Sequence, residues 1–209
     1  MLEYPKLLVE TWAPPEYVLT ATKLAPEFIA FRRAILDLET GRKLGFVRRI
    51  AGWAPPWLTP FLPFRRTLQV HESEDESLLF TMHGRGRFRE GTAVGDGREG
   101  RLSRWEVRDA EKNRIGTIHC ALWHDDRGMR PITYVRDLIG RLALFEDTKA
   151  FAFASHPVLV REPRSLDSGK ALATVQSGTG GIQLAFEDGV AEEPLAKMLL
   201  LAGLLALSN

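Results

Sequence analysis

A single cysteine, Cys120, stands in the 209 residues. No disulfide can form within the chain, so the fold rests on its core, and one cysteine fits a reducing compartment. Charge of either sign is not in excess. Lys+Arg is 28 and Asp+Glu 27, a net charge of +1. Such a balance gives no whole-molecule attraction to nucleic acid or to anionic lipid, so any such binding needs a local patch. A basic start followed by an apolar run is missing from MLEYPKLLVETWAPPEY, and with it a secretory signal. We therefore expect a cytoplasmic protein. Nucleotide and protease signatures are absent too: there is no P-loop, no G-x-S-x-G and no H-E-x-x-H.

What the sequence does have is an apolar ending. EPLAKMLLLAGLLAL, Glu193 to Leu207, is hydrophobic on every side of a helix, with Lys197 its one cation. Pro194 suits a first helical position, and Glu192 and Glu193 suit the positive pole of the dipole. Such a helix reaches roughly 22 Å, short of the ~30 Å hydrocarbon core, so we expect no transmembrane span. A core helix of this kind must be wrapped on all sides, and a sheet curled into a barrel can do that.

The preceding residues supply the sheet. Strand–turn–strand patterns stand at FIAFRRAILDLETGRKLGFVRRI, at RTLQVHESEDESLLFTMHG and at RWEVRDAEKNRIGTIHCALW. Gly41 is placed for a positive φ in the first turn, and Asn113 for the left-handed position of the third. Glu72 to Ser77 connects the second pair. Residues 84–100 are glycine-dense and predict turns. Tyr134 to Phe145 fits a helical stripe through Val135, Leu138, Ile139 and Leu142, and equally two strands. Further strands are expected in AFAFASHPVLVRE, KALATVQS and IQLAF. The tally is about ten strands. We thus expect residues 1–27 to form an extended arm with room for one strand, and 28–209 a mainly β, closed or strongly curled antiparallel barrel enclosing the C-terminal helix.

In order, FRRTLQVHESEDESLLFTMHGR, WEVRDAEKNRIGTIH and the apolar final helix resemble the tubby C-terminal-like superfamily, in its phospholipid scramblase and LURP-one-related branches. The element from Val107 to Gly116 is the best local match, and the likeness covers roughly residues 28 to 207. The resemblance implies a closed barrel of about twelve strands round the helix and a non-enzymatic protein associated with lipid or a membrane surface. The chain departs from animal scramblases in lacking their cysteine cluster. Their calcium segment is not matched either: Asp109, Glu111 and Asn113 could begin a loop, but Arg114 and Cys120 stand where a glycine and a bidentate glutamate belong.

Chemistry is sparse. His119, Cys120, His124, Asp125 and Asp126 are the densest set of ligand types, yet a zinc site would need a second pair, with His156 recruited from far away. Gly95 to Gly100 spells G-x-G-x-x-G, but without the strand before and helix after that a dinucleotide site needs. One stretch goes beyond packing. Arg48, Arg49, Arg65 and Arg66 bracket a proline-rich segment carrying Trp53, Trp57, Phe61 and Phe64. Aromatics favour the membrane interface and arginines favour anionic headgroups, so these eight residues are the candidate lipid contact. The bland reading is a stiff loop that lays Trp53 and Trp57 over one end of the barrel. The expectation is a protein without cofactor or metal, peripheral to an anionic phospholipid surface. The alternatives are a soluble scaffold binding a protein partner and, last, a metal-dependent hydrolase using His119, His124 and Asp125.

Overall fold

A computed structural model describes residues 1–11, 31–51, 64–73, 75–86, 100–125, 128–140, 142–145, 158–161, 170–178, 180–190 and 192–208. These residues form twelve strands and one helix: β1 (Lys6–Glu10), β2 (Phe31–Asp37), β3 (Lys43–Ala51), β4 (Phe64–Glu72), β5 (Leu78–Gly86), β6 (Gly100–Asp109), β7 (Arg114–Asp125), β8 (Gly128–Asp137), β9 (Leu142–Phe145), β10 (Val158–Arg161), β11 (Ala171–Gly178), β12 (Gly181–Phe186) and α1 (Pro194–Leu207). Each strand pairs antiparallel with its neighbours in sequence. β1 closes the barrel by pairing with β12 on one side and with β2 on the other. The strand foreseen in the N-terminal arm is thus a stave of the barrel, which begins at Lys6 rather than at Phe28. Leu7 and Val9 are buried there, opposite Leu184 and Ile182, so two alternating apolar residues secure it.

Alternation explains the strands. On β4, Leu68 and Val70 are buried while Thr67 and Gln69 are half-exposed; on β5, Phe80 and Met82 face in while His83 faces out. On β6, Trp105 and Val107 face in. Trp105 sits opposite Gly84, where a Cβ would lie 2.7 Å from the indole, so only glycine leaves room for the ring. The hairpin turns carry their own locks. Asp37 accepts the backbone N–H groups of Glu39 and Thr40 and the Thr40 hydroxyl, and Gly41 takes φ +69° as expected. In the β6–β7 turn the left-handed residue is Lys112 (φ +70°), not Asn113. Asn113 instead donates its backbone N–H and its side-chain amide to the Asp109 carboxylate, at 2.7 and 3.1 Å. Asp109 is thereby occupied in closing the turn.

Tyr134 to Phe145 is strand, turn, strand, and not a helix. Two β7–β8 residues, His119 and Tyr134, face each other in register, and β9 pairs back on β8. β7 runs to Asp125 and β8 starts at Gly128. Among the described residues no group of three His, Cys, Asp or Glu stands where it could hold a metal ion. The glycine-rich 95–99 lies outside the described residues.

The helix fills the barrel. Every residue from Leu199 to Ala206 is buried, in one core with inward residues of strands all round the sheet. Each large apolar side chain so buried is worth roughly 1.5–3 kcal/mol. Its two ends are tethered. Lys197, 1% exposed, donates from Nζ to the Leu2 carbonyl at 2.6 Å and lies 5.3 Å from the Phe186 ring centroid. Burial holds its pKa below the usual lysine value. At the C-terminal end Arg33, also buried, donates to the Ser208 carbonyl at 2.7 Å and to its hydroxyl at 2.8 Å, so a cation meets the negative pole of the helix. Among the described residues no helix is long and apolar enough to cross a membrane.

Candidate functional site

The outward face of the sheet has its own order. Residues directly opposite in an antiparallel pair share a face, so cross-strand register reads out the surface rung by rung. One rung runs Arg32, Arg48, Gln69, Thr81, Arg108 across β2–β6. The next runs Ile50, Thr67, His83, Glu106, Thr117, Arg136 across β3–β8. A third runs Arg104, His119, Tyr134 across β6–β8, and its register continues through Arg85 to Arg65. The first two rungs and the Arg104–Tyr134 row carry five arginines and one carboxylate, Glu106. Register alone gathers these arginines, which are up to 104 residues apart in a nearly neutral chain.

Their settings differ. Arg32, Arg104 and Arg136 are exposed; Arg48 and Arg108 are half-exposed. Glu106 accepts from Arg108 Nε at 2.7 Å and Nη2 at 2.5 Å, so the one acid is spent on one base. Two aromatic platforms support cations on this face. Phe46 stacks on His71 with centroids 4.9 Å apart, and the Arg32 guanidinium lies 5.1 Å from the Phe46 centroid with Lys43 Nζ at 5.7 Å. His119 stacks on Tyr134 at 5.1 Å, and Arg136 lies 5.3 Å from the Tyr134 centroid. Cation–π contact orients the guanidinium while leaving its hydrogens free for a ligand.

Between the platforms is a groove of 590 Å³, lined by Ile50, Thr67, Gln69, Thr81, His83, Arg104 and Glu106 among others. Short threonines on β4 and β5 lie between longer side chains on β3 and β6, which makes the hollow. Thr67 and His83 touch at 3.3 Å across its floor. The chemistry on offer is donor-rich binding of anions.

The sequence candidates divide. Arg48 belongs to the basic face. Arg49, its neighbour, takes the opposite side, where its charge and, more strongly, burial lower the Arg33 pKa to about 10. Adjacent strand residues face opposite ways, so the two arginines cannot act as one patch. Phe64, Arg65 and Arg66 open β4, with Arg65 in register with Arg85 and Arg66 with Ala51 and Gly84. Trp53, Trp57 and Phe61 lie outside the described residues. His119 is buried and its Nε2 lies 3.3 Å from the Thr117 hydroxyl, while Cys120 packs against the core on the other face. His124 and Asp125 end β7, in register with Met129 and Gly128. Arg32, Arg104, Arg108 and Arg136 were not foreseen. The alternation Arg104–Glu106–Arg108 was the available signal for part of them.

Comparison with family models, with curated proteins and with solved structures finds no match for this chain.

Proposed function

We propose that the protein is a non-enzymatic module that binds anionic phospholipid surfaces peripherally, through the outer face of β3–β8. The observation that carries this reading is four arginines, Arg48, Arg104, Arg108 and Arg136, on the outer face of those strands, against Glu106, already paired with Arg108, and Asp109, which closes its own turn, in a chain with net charge +1. The resemblance to scramblase and LURP-one-related proteins points the same way, although a barrel round a helix is an architecture and not an activity. A cationic side chain near an anionic membrane contributes about 1 kcal/mol, and screening extends ~10 Å at 0.1 M salt, so arginines just off the contact still count. With Arg108 set aside, three give about 3 kcal/mol, a dissociation constant of roughly 6 mM. Charge alone therefore recruits weakly, and stable docking needs an apolar contribution besides.

The test is Arg104→Glu with Arg136→Glu, both exposed positions. Co-sedimentation with vesicles of phosphatidylcholine and phosphatidylserine should weaken on the order of 10²-fold or more, with the melting temperature kept. Unchanged co-sedimentation of this variant rejects the face. An acidic protein partner would use the same arginines but would leave vesicles unbound.

A further inference from the structure

The groove on the outer face of β4–β6 holds groups whose bonding capacity is not used up. Its charged lining is Arg104, Arg108 and Lys112 against Glu106 and Asp109. Asp109 is spent, because its two oxygens accept the backbone N–H and the side-chain amide of Asn113. Arg108 is nearly spent, with Nε and Nη2 on Glu106 and Nη1 on the Lys112 carbonyl at 3.2 Å. Lys112 stands exposed in the turn at the far end.

Two neighbours on β6 remain open, and their charges are opposite. Both bonds from Arg108 fall on Oε1 of Glu106, so Oε2 accepts nothing among the described residues. Arg104 is exposed and makes no hydrogen bond or ion pair among the described residues. Trp105 and Val107 are buried, so Arg104 and Glu106 are consecutive outward residues of one strand, about 7 Å apart along it. An open cation beside an open carboxylate oxygen suits a ligand that carries an anion beside a cation.

The neutral lining says which cation. Thr81 and Gln69 face each other in register on β5 and β4, and neither side chain has a partner among the described residues. A primary ammonium must place three hydrogens. Glu106 Oε2, the Thr81 hydroxyl and the Gln69 amide oxygen are three acceptors in one hollow. A trimethylammonium donates no hydrogen bond, so it gains nothing from them. A glycerol headgroup has no cation to offset the charge of Glu106. For the anion, the Arg104 guanidinium presents several N–H donors in a planar fork, a match for phosphate oxygens.

Resting on the lipid reading above, we infer that the groove takes the phosphate ester of a primary amino alcohol, the headgroup of an aminophospholipid. The phosphate lies on Arg104 and the ammonium on Glu106, Thr81 and Gln69. The basic face then supplies attraction to any anionic surface, and the groove supplies selection among lipids of equal charge. Glu106, which a purely electrostatic surface would be better without, is the residue that selects.

The experiment compares the whole chain on phosphatidylcholine vesicles carrying equal fractions of phosphatidylserine or of phosphatidylglycerol, which match in charge and differ in the ammonium. The unmutated protein should bind the phosphatidylserine vesicles roughly tenfold more tightly, the worth of a hydrogen bond to a charged group. Glu106→Gln removes a negative charge from the face, so its binding to phosphatidylglycerol should rise while the preference for phosphatidylserine disappears. The preference is a ratio within one protein, so a change in the folded amount cancels. A nuclear magnetic resonance titration with soluble phosphoethanolamine tests the groove without a membrane and should shift signals of Arg104 and Thr81. Equal binding to the two vesicles, or a preference that survives Glu106→Gln, overturns the inference and leaves the basic face standing. Phosphoethanolamine binding by a protein that binds no vesicle upholds the groove with a free ester as its ligand, and the lipid reading falls. Binding to neither overturns both.

Discussion

Gly203 lies in the middle of α1, and placing a leucine there separates an enclosed helix from one lying on a surface. On an exposed helix Gly→Leu stabilises by a little under ~1 kcal/mol through helix propensity. In this barrel even a Cβ at 203 would lie 2.6 and 2.7 Å from Cε2 and Cζ of Phe145 and 3.0 Å from Cγ2 of Val135. Phe145 is 0% and Val135 3% exposed, so neither can swing into solvent. Overpacking a full site costs about 1–3 kcal/mol, occasionally more, and a whole leucine belongs at the top of that range. The clash outweighs the propensity gain, for a net loss of about 2 kcal/mol and a melting temperature lower by roughly 4–8 °C in a chain of this size. The pair Gly203→Leu with Phe145→Leu should recover part of the loss, since the removed ring edge is what the new side chain strikes. A Gly203→Leu protein that melts at or above the unmutated temperature would refute the enclosure of the helix.

Two further outcomes are expected. Lys197 is buried with its pKa lowered, so its charged form costs the folded state stability at neutral pH, and the cost is relieved as pH rises through the folded value toward the ordinary 10.5. Relative to the unmutated protein, Lys197→Met should therefore lose ground between about pH 7 and about pH 10 in urea unfolding; a stability difference independent of pH contradicts this. Trp53→Ala with Trp57→Ala addresses the sequence candidates: if they are lipid contacts, vesicle binding drops at every salt concentration and the melting temperature holds, whereas a large fall in melting temperature with binding intact makes that segment structural.

The fold was legible where local chemistry and periodicity agree. Glu39-to-Arg42 and Glu72-to-Ser77 read as turns because the first holds a glycine free to take a positive φ and the second is a polar run, and the terminal helix read as core because no face of it is polar. Tyr134 to Phe145 was ambiguous for a reason the structure supplies: Leu138 and Ile139 are turn residues, and their apolar side chains complete a helical spacing by accident of position. β1 was set apart because prolines follow its short apolar run, and only its pairing with β12 and β2 reveals its place. The basic face was not legible. Arg48, Arg104, Arg108 and Arg136 come to one outer surface only through the register of β3–β8, and net charge hides them, since acids elsewhere balance the sum. Doublets such as Arg48-Arg49 drew attention in the sequence, yet a strand sends their members to opposite faces.

The most direct test of the lipid reading is flotation of the unmutated protein with vesicles of phosphatidylcholine alone and of phosphatidylcholine with phosphatidylserine, at low and at high salt. The basic face predicts flotation with the phosphatidylserine vesicles that weakens steeply as the screening length falls from ~10 Å at 0.1 M to ~3 Å at 1 M, and little with phosphatidylcholine alone. No flotation with either, or equal flotation with both at all salt concentrations, contradicts it.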